Sequence, residues 1–163
     1  MSCRGVLFAI DEYESTILKN CQNDDELVEY VQETIEQRWD EEWLCQLDKS
    51  WDAMHRCFAN GELDPFGGKH PIVSVIFGGE ILNKGDYYFV SLKKNALVKE
   101  IAGKINGIDK NTLKKLYEKI TDDYQGEKNE EDFEYTWAYF EGVREFYLKV
   151  AQTDKDVIFT VDQ

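Results

Sequence analysis

The sequence predicts an α/β (α+β) fold: a small central mixed sheet of three to four strands flanked by helices, with a long C-terminal helix followed by a C-terminal strand. Short apolar runs lie far apart in the chain, so the strands that they predict must pair non-locally. Segments with the period of amphipathic helices separate these runs. The chain has 163 residues, 42% of them hydrophobic, and only 2 prolines. We therefore expect residues 1–163 to form a single domain with its own core.

The first third of the chain predicts one strand and two helices. Residues 4–10 form an apolar run with Val and Phe, typical of a buried strand, and residues 12–19 fit a short helix. Asn23 begins a clearer helix, because Glu26 follows at the spacing of a capping box. Residues 39–47 fit either a helix or a turn. The apolar face of the second helix carries Leu27, Val31, Ile35 and Arg38.

The middle of the chain predicts a strong helix and one ambiguous apolar run. Asp48 is predicted to be the N-cap of a helix over residues 49–59. Asn60 and Gly61 are predicted to end this helix. Residues 72–77 are apolar and β-branched. They fit either a strand or a short buried helix that starts at Pro71.

The last half of the chain predicts two strands and three helices. Residues 87–92 alternate and indicate a strand, and residues 96–105 and 109–120 carry helical apolar stripes. The longest helix spans residues 130–152, and a strand over residues 157–161 follows it. This long helix has a broad aromatic face, which favours packing against both a sheet and a neighbouring helix.

The charge of the chain is strongly acidic and segregated. The net charge is −14, and residues 11–48 hold 13 acids and 2 bases, whereas residues 84–120 hold 9 lysines and 4 acids. An acidic surface repels phosphate backbones and anionic lipid, so we expect neither nucleic acid nor a membrane as a partner. It suits a basic protein partner, although acidity also serves solubility alone.

Known catalytic and metal-binding motifs are not found in the sequence. The 4 cysteines follow no zinc spacing, and no phosphate-loop, nucleophile-elbow or zinc-protease motif occurs. We therefore predict no catalytic residue, no metal and no cofactor. No run of 18 apolar residues and no signal-peptide pattern occurs, which predicts a cytoplasmic protein.

Two groups of residues are candidate sites. On the helix over residues 49–59, polar groups adjoin the apolar stripe, and Arg144 falls in the apolar sector of the last helix. Structural roles compete with a functional role for these residues. Asp52 can pair with Arg56 at i+4, and a buried arginine can pair with an internal acid. The candidate pocket comprises Trp51, Asp52, His55, Glu80 and Arg144. The candidate partner-binding surface comprises Trp39, Asp40, Glu41, Glu42 and Trp43.

Two segments resemble a known family. Residues 48–55 are similar to the Asp-Lys-x-Trp-x-x-(apolar)-His segment of the YfbM-like bacterial proteins, and residues 71–80 resemble that family's apolar segment between Pro and Gly. Residues 131–147 and 157–161 also fit the family layout. The resemblance implies a single α/β domain with a small central sheet. It implies no activity, because this is a family of unknown function.

The residues favour an interaction protein over an enzyme. We expect a small acidic non-enzymatic protein of a bacterial cytoplasm that binds a basic protein, either to neutralise a toxin, as an immunity protein does, or to regulate its partner. The alternative is a small-molecule binding protein or hydrolytic enzyme that uses the candidate pocket. The sequence leaves the oligomeric state open.

Overall fold

A five-stranded antiparallel sheet lies at the centre of the molecule. The structure, a computed structural model, describes residues 3–162. The order of the strands across the sheet is β2-β1-β5-β4-β3, and every pair is antiparallel. The α/β prediction is thus confirmed, with five strands where three to four were expected and antiparallel pairing in place of a mixed sheet. The strands are β1 Gly5–Ile10, β2 Leu44–Asp48, β3 Glu80–Ile81, β4 Tyr88–Lys93 and β5 Asp156–Asp162.

The two strands that the sequence did not predict are the edge strands. β2 follows a 3₁₀ turn, Glu41–Trp43, so residues 39–47 are neither one helix nor one turn. Only Leu47 of β2 is fully buried, which removes the apolar alternation that marks a strand. β3 contains two residues, too few for any periodic signal.

Six α-helices connect and cover the strands. They are α1 Glu12–Lys19, α2 Asp24–Tyr30, α3 Ser50–Phe58, α4 Asn95–Ile105, α5 Lys110–Tyr117 and α6 Glu130–Val150. α2 continues directly into a π-helical turn, Val31–Glu36. The ambiguous apolar run contains a short 3₁₀ helix, Ile72–Ser74, and no strand. Within residues 3–162, every helix is too short or too polar to cross a membrane.

Side-chain caps explain where several helices begin. Asn23 accepts a hydrogen bond from the Glu26 backbone N–H at 2.9 Å, as the capping-box spacing predicts. The Asp48 prediction is wrong, because this residue ends β2 in the left-handed region with φ 49° and caps no helix. Its carboxylate instead accepts the Tyr135 hydroxyl at 2.6 Å, which ties β2 to α6.

Helices cover both faces of the sheet, because strand residues alternate between two cores. Leu7 and Ala9 belong to the larger core, together with residues of α3, α4, α5 and α6. Phe8 and Ile10 point the other way, into a smaller core with residues of α1, α2 and the π-helical turn. We call α3–α6 the helical layer. We call residues 11–43, which contain α1, α2, the π-helical turn and the 3₁₀ turn, the acidic layer.

Candidate functional site

The acidic layer carries most of the net negative charge of the molecule, which is −14 in total. It holds 12 acids and 2 bases, for a net charge of −10. Both bases are already paired: Lys19 with Glu80 at 3.4 Å, and Arg38 with Glu14 at 3.1 Å. The remaining carboxylates therefore give this side of the sheet a strongly negative potential.

Exposed aromatic side chains lie among these acids. Tyr13 on α1 is 74% exposed, and Trp39 after the π-helical turn is 38% exposed. Tyr87, directly before β4, is 50% exposed, and its hydroxyl lies 3.5 Å from a carboxylate oxygen of Asp25 on α2. Exposed aromatics are enriched at protein interfaces, where they supply large contact areas at low entropic cost.

A small cavity opens between the acidic layer and the end of β1. Its volume is about 200 Å³. Its walls are formed by Asp11, Glu14, Arg38, Asp40, Trp43 and Lys155. Phe8, Ala9 and Ile35 also line it, but each is at most 5% exposed. We call this cavity the Arg38 pocket, and it contains side chains of both charges.

The π-helical turn leads into one wall of the pocket. The wider turn rotates the following residues relative to a continuous α-helix, and Arg38 follows two residues after it. The Arg38 guanidinium makes two parallel hydrogen bonds to the Glu14 carboxylate, at 3.1 and 3.2 Å. This bidentate pair joins α1 to the end of the π-helical segment and holds the pocket open between them.

Trp39 is held in an unusual conformation at the end of this helical segment. Its φ is 37°, in the left-handed region that a bulky residue rarely adopts. Its indole packs edge-to-face on Phe8, with the ring centroids 6.0 Å apart. Backbone strain of this kind persists only where surrounding contacts enforce it, and it clusters at functional sites.

Trp43 interacts with two lysines. The Lys149 ammonium lies 4.3 Å and the Lys155 ammonium 4.8 Å from the centroid of its ring. Lys149 also donates to the backbone carbonyl of Glu42 at 2.5 Å. Lys155 forms no ion pair with any residue between 3 and 162. A cation–π contact therefore holds the Lys155 ammonium at the pocket wall.

The structure brings the candidate partner-binding surface together at the mouth of the pocket. Asp40 and Trp43 line the cavity, and Asp40 caps the 3₁₀ turn by accepting the Glu42 backbone N–H at 3.2 Å. Trp39 and Glu41 are exposed beside them. We call these five consecutive residues, two of which line the pocket, the rim, and partner binding by the rim stays a prediction.

The members of the predicted pocket have separate partners. Trp51 is buried, and its indole N–H donates to the Cys3 carbonyl at 2.8 Å. Asp52 pairs with Arg56 at 2.6 Å, the i+4 structural role that the sequence offered. Burial raises the pKa of Asp52, and the Arg56 hydrogen bond opposes that rise. These groups stabilise α3 within the helical layer.

Glu80 and Arg144 lie apart from those core residues. Glu80 is exposed on β3 and pairs with Lys19 of α1, on the other side of the sheet. The Arg144 guanidinium stacks on Trp137 and Phe140, at 5.5 and 5.0 Å from their ring centroids, and donates to the carbonyl of Ile108. Arg144 therefore has a backbone carbonyl and two aromatic rings as partners in place of the expected internal acid, and its buried Nε has no hydrogen-bond partner in residues 3–162.

His55 is fully buried as a neutral imidazole. Its Nε2 lies 2.7 Å from the Asp64 carbonyl, so Nε2 carries the proton and donates. Nδ1 has no hydrogen-bond partner in residues 3–162. Burial lowers the pKa of His55 to about 4, because a second proton on Nδ1 would be desolvated and unpaired.

Lys93, a residue that the sequence reasoning missed, is also buried in this core. Its side chain is 0% exposed, donates to Ser91 Oγ at 2.6 Å and to the Ile76 carbonyl, and has no carboxylate partner in residues 3–162. Burial lowers the pKa of this amine well below its usual value. Alternation along β4 is the signal that could have found it, because Phe89, Ser91 and Lys93 share one face.

These features define a small acidic α/β domain with a polar pocket at one end of its central sheet. Among residues 3–162, no cluster of three His, Cys, Asp or Glu side chains is arranged to hold a metal ion.

The chain belongs to the family described as "Domain of unknown function (DUF1877)", whose model matches residues 1–160. The crystal structure of YfbM, a protein of unknown function from Escherichia coli, has a similar fold: it is 17% identical, with a TM-score of 0.63, over 97% of this chain and 99% of that chain. No curated protein matches the chain. The resemblance to YfbM-like proteins is thus confirmed, and at this identity the likeness establishes the fold alone.

Proposed function

We propose that this protein is a small acidic, non-enzymatic interaction protein that binds a basic protein partner through its acidic layer. The observation that carries the proposal is the set of exposed aromatics, Tyr13, Trp39 and Tyr87, on or beside a layer of net charge −10 whose two bases are already paired. Neutralising a basic toxin and regulating a basic partner are both outcomes of such binding. A bacterial cytoplasmic setting stays a prediction.

Charge and aromatic surface have different roles in this binding. The uncompensated carboxylates attract a basic protein over several ångströms and raise the association rate, an effect that salt screens. The aromatic side chains contribute contact area once the proteins touch, and Trp39 is held in place by Phe8. Because its orientation is fixed before binding, Trp39 loses little conformational entropy in the complex.

The alternative, a ligand pocket or hydrolytic site at Trp51, Asp52, His55, Glu80 and Arg144, has less support. Trp51 and His55 are buried within the core, and Glu80 pairs with α1 on the other side of the sheet. The geometry therefore favours binding at the acidic layer.

The test is affinity capture from lysate of the source cells with three versions of the full chain as bait. The first bait is the wild type. In the second bait, the charge of the rim is reversed by Asp40→Lys, Glu41→Lys and Glu42→Lys. The matched control, Glu118→Lys, Asp122→Lys and Glu127→Lys, reverses three exposed acids outside the acidic layer. Captured proteins are identified by mass spectrometry at low and high salt, and the stoichiometry is read from native spectra.

The proposal predicts one stoichiometric basic protein on the wild-type and control baits, released at high salt and lost from the rim variant. Equal capture by the rim variant and the control would contradict it, because binding would then depend on overall charge and not on this surface. A captured partner of acidic composition would also contradict it.

A further inference from the structure

The Arg38 pocket has features that docking of a protein surface does not require. It is a concave cavity of about 200 Å³, and most of the surface that lines it is polar. Pockets for drug-sized ligands occupy roughly 300–1,000 Å³, so this cavity suits a smaller molecule. Its charged groups come from the acidic layer and, with Lys155, from the turn before β5.

Two carboxylates in the pocket are free to take a cation. Asp11 accepts the Glu14 backbone N–H at 2.8 Å through one oxygen, and Asp40 accepts the Glu42 N–H at 3.2 Å in the same way. Neither aspartate forms an ion pair with any of residues 3–162. Each therefore retains its negative charge and an oxygen that can accept a hydrogen bond from a ligand.

One cation in the pocket is free to take an anion. The Lys155 ammonium is held over Trp43 by a contact that uses none of its N–H donors. Arg38, in contrast, is neutralised by its bidentate contact with Glu14. The charges left for a ligand are thus two negative groups and one positive group.

A basic amino acid carries the complementary set of charges. Its α-carboxylate matches Lys155, and its α-ammonium and side-chain cation match Asp11 and Asp40. A neutral amino acid would leave one carboxylate unpaired, and an acidic one would place a second negative charge beside it.

We propose that the Arg38 pocket binds a free basic amino acid, arginine or lysine, through Asp11, Asp40 and Lys155. This site goes beyond the proposed protein partner, because a zwitterion that occupies the pocket needs no second protein. The ligand carboxylate pairs with Lys155, and its two cationic groups pair with the two aspartates.

The test is isothermal titration calorimetry of the full chain at low ionic strength with L-arginine and L-lysine. Four comparison ligands each lack one feature. L-leucine and L-glutamate lack the basic side chain, L-argininamide lacks the carboxylate, and N-acetyl-L-arginine lacks the α-ammonium. We expect binding of L-arginine or L-lysine, and at least about tenfold weaker binding of each of the other four, because each loses one charge-assisted pair.

Matched variants locate the site. Asp40→Asn and Lys155→Met should each weaken binding of the basic amino acid by about tenfold or more. The controls, Glu33→Gln on the acidic layer and Lys104→Met on α4, change exposed residues outside the pocket and should leave binding unchanged. Thermal unfolding of each variant checks that the fold is kept.

Two outcomes would overturn the site: no heat of binding for arginine or lysine at millimolar concentration, or weakening by the control variants equal to that of Asp40→Asn and Lys155→Met. Equal affinity for L-argininamide would overturn the role of Lys155. The titration uses the protein without any partner, so its outcome is independent of whether a protein partner is captured.

Discussion

The two faces of the sheet use charge in opposite ways. In the helical layer, the buried Arg56 guanidinium lies between the carboxylates of Asp52, at 2.6 Å, and Asp123, at 3.0 Å. In the acidic layer, Glu14 pairs with Arg38 and Glu42 lies 3.9 Å from Lys149, while the other acids have no ion-pair partner in residues 3–162. Under the proposed function, the helical layer contributes stability and the acidic layer is the recognition surface.

The aromatic side chains show the same division. Tyr117 and Tyr124 both donate to the Asp132 carboxylate, at 2.5 and 2.9 Å, and close the end of the helical layer. Tyr13 and Trp39 of the acidic layer are exposed. Similar residue types are therefore structural on one face and available for contact on the other.

The largest expected difference between the faces is in packing. Phe140 on α6 is fully buried between Phe58 and Trp137. Phe140→Ala should lower the free energy of unfolding by about 3–5 kcal/mol, through lost burial and the cavity left behind. Tyr13→Ala, on the exposed face, should change it by no more than about 0.5 kcal/mol. Urea denaturation compares the two, and equal losses would remove the distinction between the layers.

The second difference is in the response to acid. The folded pKa of His55 is about 4, below its unfolded value of 6.5, so the unfolded chain binds a proton first as pH falls. The contribution of the neutral His55 side chain to the free energy of unfolding is fully present above pH 6.5. It is lost as the pH falls from 6.5 to 4, by roughly 3 kcal/mol in total. His55→Gln should flatten this part of the stability profile, while His70→Gln, which changes an exposed histidine, should not. An unchanged slope in His55→Gln would contradict the buried neutral imidazole.

A smaller effect is expected at Lys93. Its amine is buried without a carboxylate, so its pKa is lowered, and wild-type stability should rise with pH up to the unfolded value of 10.5. Lys93→Met should remove that rise and increase the free energy of unfolding at pH 7 by about 1 kcal/mol, because an apolar side chain avoids the cost of burying an amine. Chemical denaturation at several pH values measures both. A loss of stability at pH 7 would show that the two hydrogen bonds of the amine outweigh its desolvation.

The smallest effect is self-repulsion in the acidic layer. Glu33→Lys should raise the free energy of unfolding by a few tenths of a kcal/mol at low salt, because it relieves repulsion among neighbouring acids. The gain should vanish in 0.5 M salt, where exposed charges are screened over about 4–5 Å. Glu127→Lys, outside the layer, is the comparison, and an equal gain there would mean that only the total charge matters.

Apolar periodicity predicted most of the fold, and it failed where the backbone departs from a regular period. Val31 and Ile35 are buried as predicted, but the π-helical turn that contains them leaves no mark in the spacing of apolar residues. Aspartate adopts the left-handed conformation of Asp48 more readily than most residues, but a bulky residue such as Trp39 rarely does, so tertiary contacts must enforce it at Trp39.

The candidate sites could be predicted only where their residues are adjacent in sequence. The rim residues Asp40 and Trp43 were found because they are adjacent in sequence. Lys155 and Glu14 reach the same pocket from distant segments, so only the folded chain brings them together. Lysine is rarely buried alone, so Lys93 was expected outside despite the alternation of β4.

Hydrogen exchange of the protein alone and in complex with its captured basic partner, read by mass spectrometry, shows most directly whether the acidic layer is the recognition surface. We expect slower exchange on binding in α1, α2 and residues 31–43, with no change in α5 or α6. Protection confined to α5 and α6, or spread evenly over both layers, would contradict the assignment of recognition to the acidic layer.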